Sequence, residues 1–343
     1  MVVTIYPWQH AAWTQLQQMR ERLPHAILFH GPRGIGKADF MESVAQALLC
    51  ENVRPDGHAC GACASCGWFL QNNHPDYRRV RPEALEDDPV GEAEEGAEAS
   101  GKAKSTKAPS KEIKIEQIRA LGDFMNISTH RQGLRVVVLY PAEALNMPAS
   151  NALLKTLEEP PPGTVFLLAS NSLDRLLPTI LSRCRKFALP MPGHDEALAW
   201  LKAQGVADAD SWLLEQGGAP LAALQEAESG SREDMDALLH FLANPAVDGA
   251  LRAAEKLSKA SLPALVAWQQ RWLYDVLSNK LSGRIRYYPR YRKELTALAG
   301  RVHTASLNRA IKAANERRAV ADHPLSAKLF VEDMLLEYTS CCA

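Results

Sequence analysis

Short apolar runs alternate with longer amphipathic segments over the first 190 residues of the chain. Runs that are apolar throughout predict strands of a parallel sheet, because helices cover both faces of such a sheet. They lie at 26–30, 134–140, 164–169 and 186–189, with a shorter candidate at 79–82. Apolar residues at helical spacing predict helices at 8–22, 39–49, 113–125, 149–157 and 175–181. The alternation predicts a doubly wound α/β domain over residues 1–189.

Beyond residue 190 the strand patterns disappear and only helical periodicity remains. Three short helices are predicted at 194–204, 209–216 and 220–228, followed by a linker at 229–232. Residues 234–343 predict further helices, with apolar stripes at 262–277 and 325–338. Such stripes normally form the core of a helical bundle, so we interpret Trp268 and Trp272 as core residues rather than ligand contacts.

The overall composition is that of an ordinary globular protein of two or three domains, with 343 residues, 46% apolar residues and a formal net charge of -1. No charge excess indicates a nucleic acid or a membrane as the partner. The first residues lack a basic segment followed by an apolar one, and no window approaches 18 uninterrupted apolar residues. We therefore expect a cytoplasmic protein without a membrane partner.

An abrupt change of composition marks residues 83–111. Eight acidic residues fall within 83–98, and lysines follow among Gly, Ala, Ser and Pro. Because such a segment buries too little apolar surface to offset its ordering entropy, it predicts a disordered surface insertion.

A glycine-rich turn follows the first predicted strand. Gly31, Gly36 and Lys37 match the phosphate-binding pattern G-x-x-x-x-G-K-[ST], and Gly34 lies between them. Backbone N–H groups of such a loop, together with the N-terminus of the next helix, can hold a phosphate. The last position of the pattern is Ala38, which has no hydroxyl group for Mg²⁺.

The strand at 134–140 lacks the acid that a P-loop ATPase needs at its end. Such a strand normally supplies a carboxylate for the metal and the attacking water, whereas this one continues into Tyr140 and Pro141. Glu143 lies further along, beyond the proline, and is a poor substitute. The pattern therefore predicts a phosphate-binding fold with an incomplete hydrolytic site.

Four cysteines lie within 17 residues, at Cys50, Cys60, Cys63 and Cys66. Their spacing predicts one structural Zn²⁺ held by four thiolates, since a complete set of cysteines leaves no open position for catalysis. A redox dithiol or four unrelated thiols are the alternatives. The neighbouring His58 and His74 are expected at the surface or in contact with the ligands. Cys341 and Cys342 are expected to be thiols of an unstructured tail.

Several of these features together resemble the AAA+ clamp-loader subunits of bacterial DNA polymerase III. The features are the segment Ala152–Pro161, the triplet Ser182-Arg183-Cys184, the four-cysteine module and the helical remainder of the chain. The resemblance is specific only in residues 1–190. It implies an AAA+ RecA-like P-loop domain with a zinc module, a three-helix lid at 190–232 and an all-α collar for oligomerisation at 233–343.

The resemblance also implies a place in a heteropentameric ring beside gamma/tau-type motor subunits and a delta subunit. That ring uses ATP to load a sliding clamp onto primed DNA during DNA replication. Within the family, the arginine of the triplet acts in trans on ATP held by a neighbouring motor, and this role falls on Arg183. The structural alternative is an arginine that caps the end of its helix.

Three departures from the motor pattern remove the same activity: Ala38, Tyr140-Pro141, and Leu221 at the place where motor subunits carry a phosphate-sensing arginine. We therefore predict that ATP or ADP binds weakly or not at all, and that the chain alone is not an enzyme. One alternative is an ATP-hydrolysing motor subunit of the same complex. Another is a zinc-containing DNA-binding module, supported by basic and aromatic residues at 284–293. A solvated loop between helices also explains that stretch.

Overall fold

Two units, Met1–Met191 and Pro192–Ala343, make up the chain in the computed structural model. The structure describes residues 5–86, 109–126, 129–130, 133–322 and 326–342. The first unit contains the P-loop and the cysteine module, and the second is helical. The further division of the second unit into a lid and a collar at residue 232 stays a prediction.

A parallel sheet forms the centre of the first unit and confirms the predicted strands. Its strands within the described residues are β1 (Ala26–His30), β2 (Tyr77–Val80), β3 (Arg135–Leu139), β4 (Thr164–Ser170) and β5 (Arg185–Ala188). Their order is β2-β3-β4-β1-β5, and every neighbouring pair is parallel. The carboxyl ends of β1, β3 and β4 therefore meet at one edge of the sheet, where the P-loop begins.

Helices cover both faces of this sheet. They are α1 (His10–Gln18), α2 (Lys37–Leu49), α3 (Ala64–Leu70), α4 (Ile115–Asn126), α5 (Met147–Glu158) and α6 (Pro178–Arg183). Alternate strand residues face opposite sides: Phe29 packs in one apolar cluster with Phe40 of α2, and Leu28 packs in the other with Leu153 of α5. Helix α3, within the cysteine module, was not predicted from the periodicity.

Residues at both ends of the predicted disordered insertion, 83–111, have defined structure, and its central part, 87–108, lies outside the described residues. Residues Glu83–Leu85 form a 3₁₀ helix. The Ala84 N–H donates to the Ser110 carbonyl oxygen at 3.0 Å, and Lys114 pairs with Glu83 at 2.7 Å. These contacts join the two ends of the segment to the folded unit.

The second unit is helical throughout its described residues, as predicted. Its helices are α7 (His194–Ala203), α8 (Ala209–Glu215), α9 (Pro220–Glu228), α10 (Arg232–Ala243), α11 (Val247–Leu257), α12 (Leu262–Ser282), α13 (Arg292–Arg301), α14 (Thr304–Val320) and α15 (Ala327–Cys342). One apolar cluster extends from Ala197 to Cys342. Trp268 and Trp272 are buried within it, which confirms their interpretation as core residues. In the described ranges, no helix combines the length and apolar character that a membrane span requires.

The predicted linker at 229–232 is a tight turn instead. The Ser229 hydroxyl donates to the Glu226 carbonyl oxygen at 2.7 Å, the Ser231 N–H donates to the Ser229 hydroxyl at 3.2 Å, and α10 begins at Arg232.

The expectation that Cys341 and Cys342 are tail thiols was wrong. Both residues belong to the last turn of α15, and Cys342 is buried. One turn earlier, the Tyr338 hydroxyl accepts from Trp272 Nε1 at 2.9 Å and donates to the Leu242 carbonyl oxygen at 2.8 Å. The packing of α15 against the helical core therefore fixes the positions of both cysteines.

The basic and aromatic stretch at 284–293 connects α12 to α13 and is only partly solvated. The Asp275 carboxylate accepts the backbone N–H groups of Arg286, Tyr287 and Tyr288 at 2.7–2.9 Å. Tyr288 is fully buried, and Arg290 pairs with Asp236 at 2.5 Å. Because an internal carboxylate and the bundle core engage this stretch, its support for a DNA-binding module is weakened.

Candidate functional site

The predicted phosphate cradle lies between β1 and α2, with its glycines at positions that exclude larger residues. Gly34 and Gly36 have φ angles of 79° and 80°, in the left-handed region that favours glycine. A Cβ atom at Gly36 would collide with the Tyr6 ring, and one at Gly31 would collide with the Leu189 carbonyl oxygen.

Side chains that precede the first strand fix the carbonyl groups of this loop. Gln9 Nε2 donates to the carbonyl oxygens of Ile35 at 2.9 Å and Gly36 at 2.8 Å. Trp8 Nε1 also donates to the Ile35 oxygen, at 3.0 Å. Sequence reasoning assigned Trp8 only to an amphipathic helix and missed this function, since no local pattern indicates a contact 27 residues away.

The P-loop lysine is turned back onto its own loop. Lys37 Nζ donates to the Pro32 carbonyl oxygen at 2.6 Å, and the residue is 6% exposed. Burial lowers the pKa of Lys37 to about 8, with the charge of Glu143 opposing the shift and Arg33 adding to it. Any phosphate that enters the loop must compete with the Pro32 contact.

Two polar residues that sequence reasoning did not pair meet at the same edge of the sheet. Glu143, after β3, accepts the backbone N–H of Asn171 at 3.1 Å and its Nδ2 at 2.8 Å. Asn171 directly follows β4. The rule that the carboxyl ends of neighbouring parallel strands converge could have found this pair. The Glu143 carboxylate is thus engaged by Asn171, while Tyr140 stands at the end of β3 itself.

The remaining departure from the motor pattern, Leu221, is the second residue of α9 and belongs to the second unit. It is half-buried.

The four cysteines of the predicted metal site converge. Their Sγ atoms all lie within 4.8 Å of one another, and the Cys50–Cys63 and Cys60–Cys66 pairs are 4.0 Å apart. A tetrahedral zinc site with Zn–S bonds of about 2.3 Å has sulfur atoms roughly 3.8 Å apart. The four thiols fit such an ion with only a small contraction, so they could hold a metal such as zinc.

Backbone N–H groups point at the sulfur atoms of this cluster. The Cys60 N–H donates to Cys50 Sγ at 3.2 Å, and the Cys63 N–H donates to Cys60 Sγ at 3.3 Å. Hydrogen bonds from Ala62 and Cys63 lower the pKa of Cys60 to about 6, whereas burial raises the pKa of Cys66. N–H donors of this kind favour the thiolate, which is the form that binds metal.

Both histidines near the cluster have other partners. The His74 Nδ1 atom accepts from the Asp76 N–H at 3.1 Å, so Nε2 carries the hydrogen and faces the Ser65 hydroxyl at 2.8 Å. Ser65 in turn donates to the Leu49 carbonyl oxygen at 2.5 Å. The His58 ring stacks on Trp13 with 4.0 Å between the ring centroids. These partners make the cysteines, rather than the histidines, the candidate ligands.

Arg183 occupies the last position of α6, at the surface. Its Nη1 donates to the Thr179 carbonyl oxygen at 2.9 Å and to the Ser182 hydroxyl at 3.3 Å, and its Nη2 forms an ion pair with Glu158. The next residue, Cys184, is buried in the core, and burial raises its pKa to about 11. The buried thiol anchors the backbone, while the Arg183 side chain remains 31% exposed.

This fold and site define a class of protein: a parallel α/β domain of the P-loop NTPase type with an altered phosphate loop, a four-cysteine cluster and a helical second unit. The family model described as DNA polymerase III, delta subunit, matches residues 8–192, more than half of the chain. Curated relatives extend the match beyond the first unit.

The chain is 38% identical over 287 residues to DNA polymerase III subunit delta' of Pseudomonas aeruginosa, covering 81% of this chain and 79% of that protein. It is 31% identical over 281 residues to the subunit of the same name from Escherichia coli, covering 79% of this chain and 76% of that protein. The chain belongs to the DNA polymerase III delta' family, and the resemblance drawn from its motifs is confirmed.

A solved structure of a DNA polymerase III, gamma subunit-related protein from Thermotoga maritima aligns with a TM-score of 0.44 and 18% identity. It covers 97% of this chain and 100% of that chain.

Proposed function

We propose that this chain is the non-hydrolysing delta'-type subunit of a DNA polymerase III clamp loader. In that complex it joins gamma/tau-type motor subunits and a delta subunit, and it supports ATP-driven loading of the sliding clamp onto primed DNA. Membership of the delta' family supports this assignment. The complex is a hetero-oligomer whose ATP-dependent work is done by the motor subunits.

The altered P-loop supports a silent ATP site in this chain. Hydrolysis needs a metal ligand after Lys37 and an acid at the end of β3, and these positions hold Ala38 and Tyr140. Lys37 itself donates to Pro32. Three separate parts of the site therefore work against binding or hydrolysis, so nucleotide binding at Gly31, Gly34, Gly36 and Lys37 is weak or absent.

The observation that carries the proposal is the geometry of Arg183. A guanidinium that is held by α6 yet partly exposed suits an arginine finger, which stabilises the charge that develops on the γ-phosphate of ATP in a neighbouring subunit. In GTPases such a finger accelerates the reaction roughly 10³ to 10⁵-fold. The Ser182 hydroxyl accepts a hydrogen bond from the guanidinium, and the buried Cys184 anchors the backbone.

Reconstitution with the motor and delta subunits tests the finger. Arg183→Ala should leave assembly intact and lower the DNA- and clamp-stimulated ATPase rate at least about tenfold, because the transition-state charge loses its partner. Arg185→Ala, which removes an exposed arginine two residues along, is the matched control. An unchanged rate in the Arg183 variant would contradict the finger and leave only a structural role for this chain in the complex.

The second part of the proposal is one structural Zn²⁺ held by Cys50, Cys60, Cys63 and Cys66. The mutual distances of the thiols and the N–H groups aimed at them support it. Four cysteines fill the coordination shell of zinc and leave no place for a water or a substrate. The ion stabilises the fold of the module between α2 and β2 and takes no part in a reaction.

A further inference from the structure

Two helix ends meet at the proposed finger. Glu158 is the last residue of α5, and Arg183 is the last residue of α6. Leu153 of α5 and Ile180 of α6 belong to one buried apolar cluster. A carboxylate at the C-terminus of a helix is disfavoured by the helix dipole, and the ion pair with Arg183 offsets this cost.

The contacts of Arg183 use only part of its guanidinium. Nη1 is bonded to α6 itself, through Thr179 and Ser182, whereas Nη2 is held across the helix pair by Glu158. Of the five N–H groups of an arginine, these contacts use three, counted over the described residues. The Nε–H and one Nη2–H therefore stay available for a phosphate oxygen while the other contacts are kept.

We propose that Glu158 is the positioning residue of the finger: it fixes the orientation of the Arg183 guanidinium before a neighbouring ATP site is engaged. This inference rests on the proposed function of Arg183. Arginine loses much side-chain entropy when it is ordered. If a partner in the same chain orders it, that entropy is lost during folding rather than at the transition state. Without Glu158, only contacts from its own helix would hold the guanidinium.

The test is Glu158→Gln in the reconstituted complex. Glutamine keeps the shape of the side chain but replaces the charged hydrogen bond by a weaker neutral one. The kcat of DNA- and clamp-stimulated ATP hydrolysis should fall about three- to tenfold, with the KM for ATP unchanged, because the finger acts in the transition state. Glu159→Gln is the matched control: it removes the same charge one residue later and should leave kcat at the wild-type value.

A double variant separates positioning from a general structural effect. If Glu158 acts through the finger, Glu158→Gln should cause no further loss in an Arg183→Ala background. An equal loss in both backgrounds, a fall in assembly, or a kcat that is unchanged or raised by Glu158→Gln overturns the inference. If Arg183→Ala alone has no effect, the proposed finger fails, and this outcome is distinct from the case in which only Glu158→Gln is without effect.

Discussion

Lys37 shows how the surroundings of one residue change the chemistry that its motif predicts. In a working P-loop, the ammonium group of this lysine faces the phosphates. Here it is buried, donates to the Pro32 carbonyl oxygen at 2.6 Å, and has its pKa lowered to about 8. The motif alone predicts that Lys37 binds a phosphate, whereas in the fold the same side chain binds the Pro32 carbonyl oxygen.

This burial predicts a pH-dependent stability. Between pH 8 and 10.5 Lys37 binds more protons in the unfolded chain, where it has its ordinary pKa, than in the folded chain, so its own contribution to stability should rise with pH through this window. At pH 7 the charged lysine destabilises the fold. Lys37→Met should therefore raise the free energy of unfolding at pH 7 by about 1 to 3 kcal/mol, an advantage that disappears near pH 10.5.

Denaturant unfolding of the two proteins from pH 6 to 10.5 measures this difference. Lys155→Met, at an exposed position of α5, is the control and should change stability by less than about 0.5 kcal/mol. A Lys37→Met protein that is less stable than the wild type at pH 7 would show that the Pro32 hydrogen bond outweighs the burial of the charge.

At the scale of elements, the cysteine module shows how a short helix and two turns create a site. Cys50 follows the end of α2, Cys63 caps the N-terminus of α3, and Cys66 lies in its first turn. The Cys66 N–H donates to Cys63 Sγ at 3.4 Å. Helix geometry therefore places the last two thiols, and the preceding turn brings Cys60 to them.

Metal analysis tests the module. The purified chain should contain about one zinc ion, and Cys66→Ser should lose it and lower the melting temperature, since the free energy of metal binding contributes to folding. Cys341→Ser, in the second unit, should keep the ion. Full zinc content in the Cys66→Ser protein would contradict the four-cysteine assignment.

At the scale of the whole molecule, the altered P-loop and the partly exposed Arg183 lie on different elements of the same sheet domain. Strand β1 leads into the P-loop, while α6 ends next to β5, at the edge of the sheet. Substitutions in the P-loop need not disturb Arg183, because the two sets of residues lie on different elements.

The isolated chain should accordingly show negligible ATP turnover. Ala38→Thr restores the missing hydroxyl but not the acid at Tyr140, so we expect it to leave turnover at background. The measurement is phosphate release by the purified chain, with Lys37→Ala as the reference for contaminating activity. A rate well above background that Lys37→Ala abolishes would favour the alternative of a working motor subunit.

Sequence patterns were most informative where structure is local. Periodicity identified β1, β4 and most helices to within a few residues, because burial of one face imposes it. The same method failed for Cys341 and Cys342, whose order depends on packing of α15 against the rest of the bundle. It also treated 284–293 as solvated, whereas Asp275, at least 11 residues earlier, holds that backbone.

The amino-acid sequence by itself determined the succession of strands and helices along the chain, the glycine positions of the loop, the absence of a hydroxyl at Ala38 and the spacing of the four cysteines. These properties depend on residue type and on neighbours within a few turns of chain. Only the tertiary structure decided which partner each polar group meets. Glu143 meets Asn171, 28 residues away, and Arg183 meets Glu158, because parallel strands and packed helices bring distant segments together.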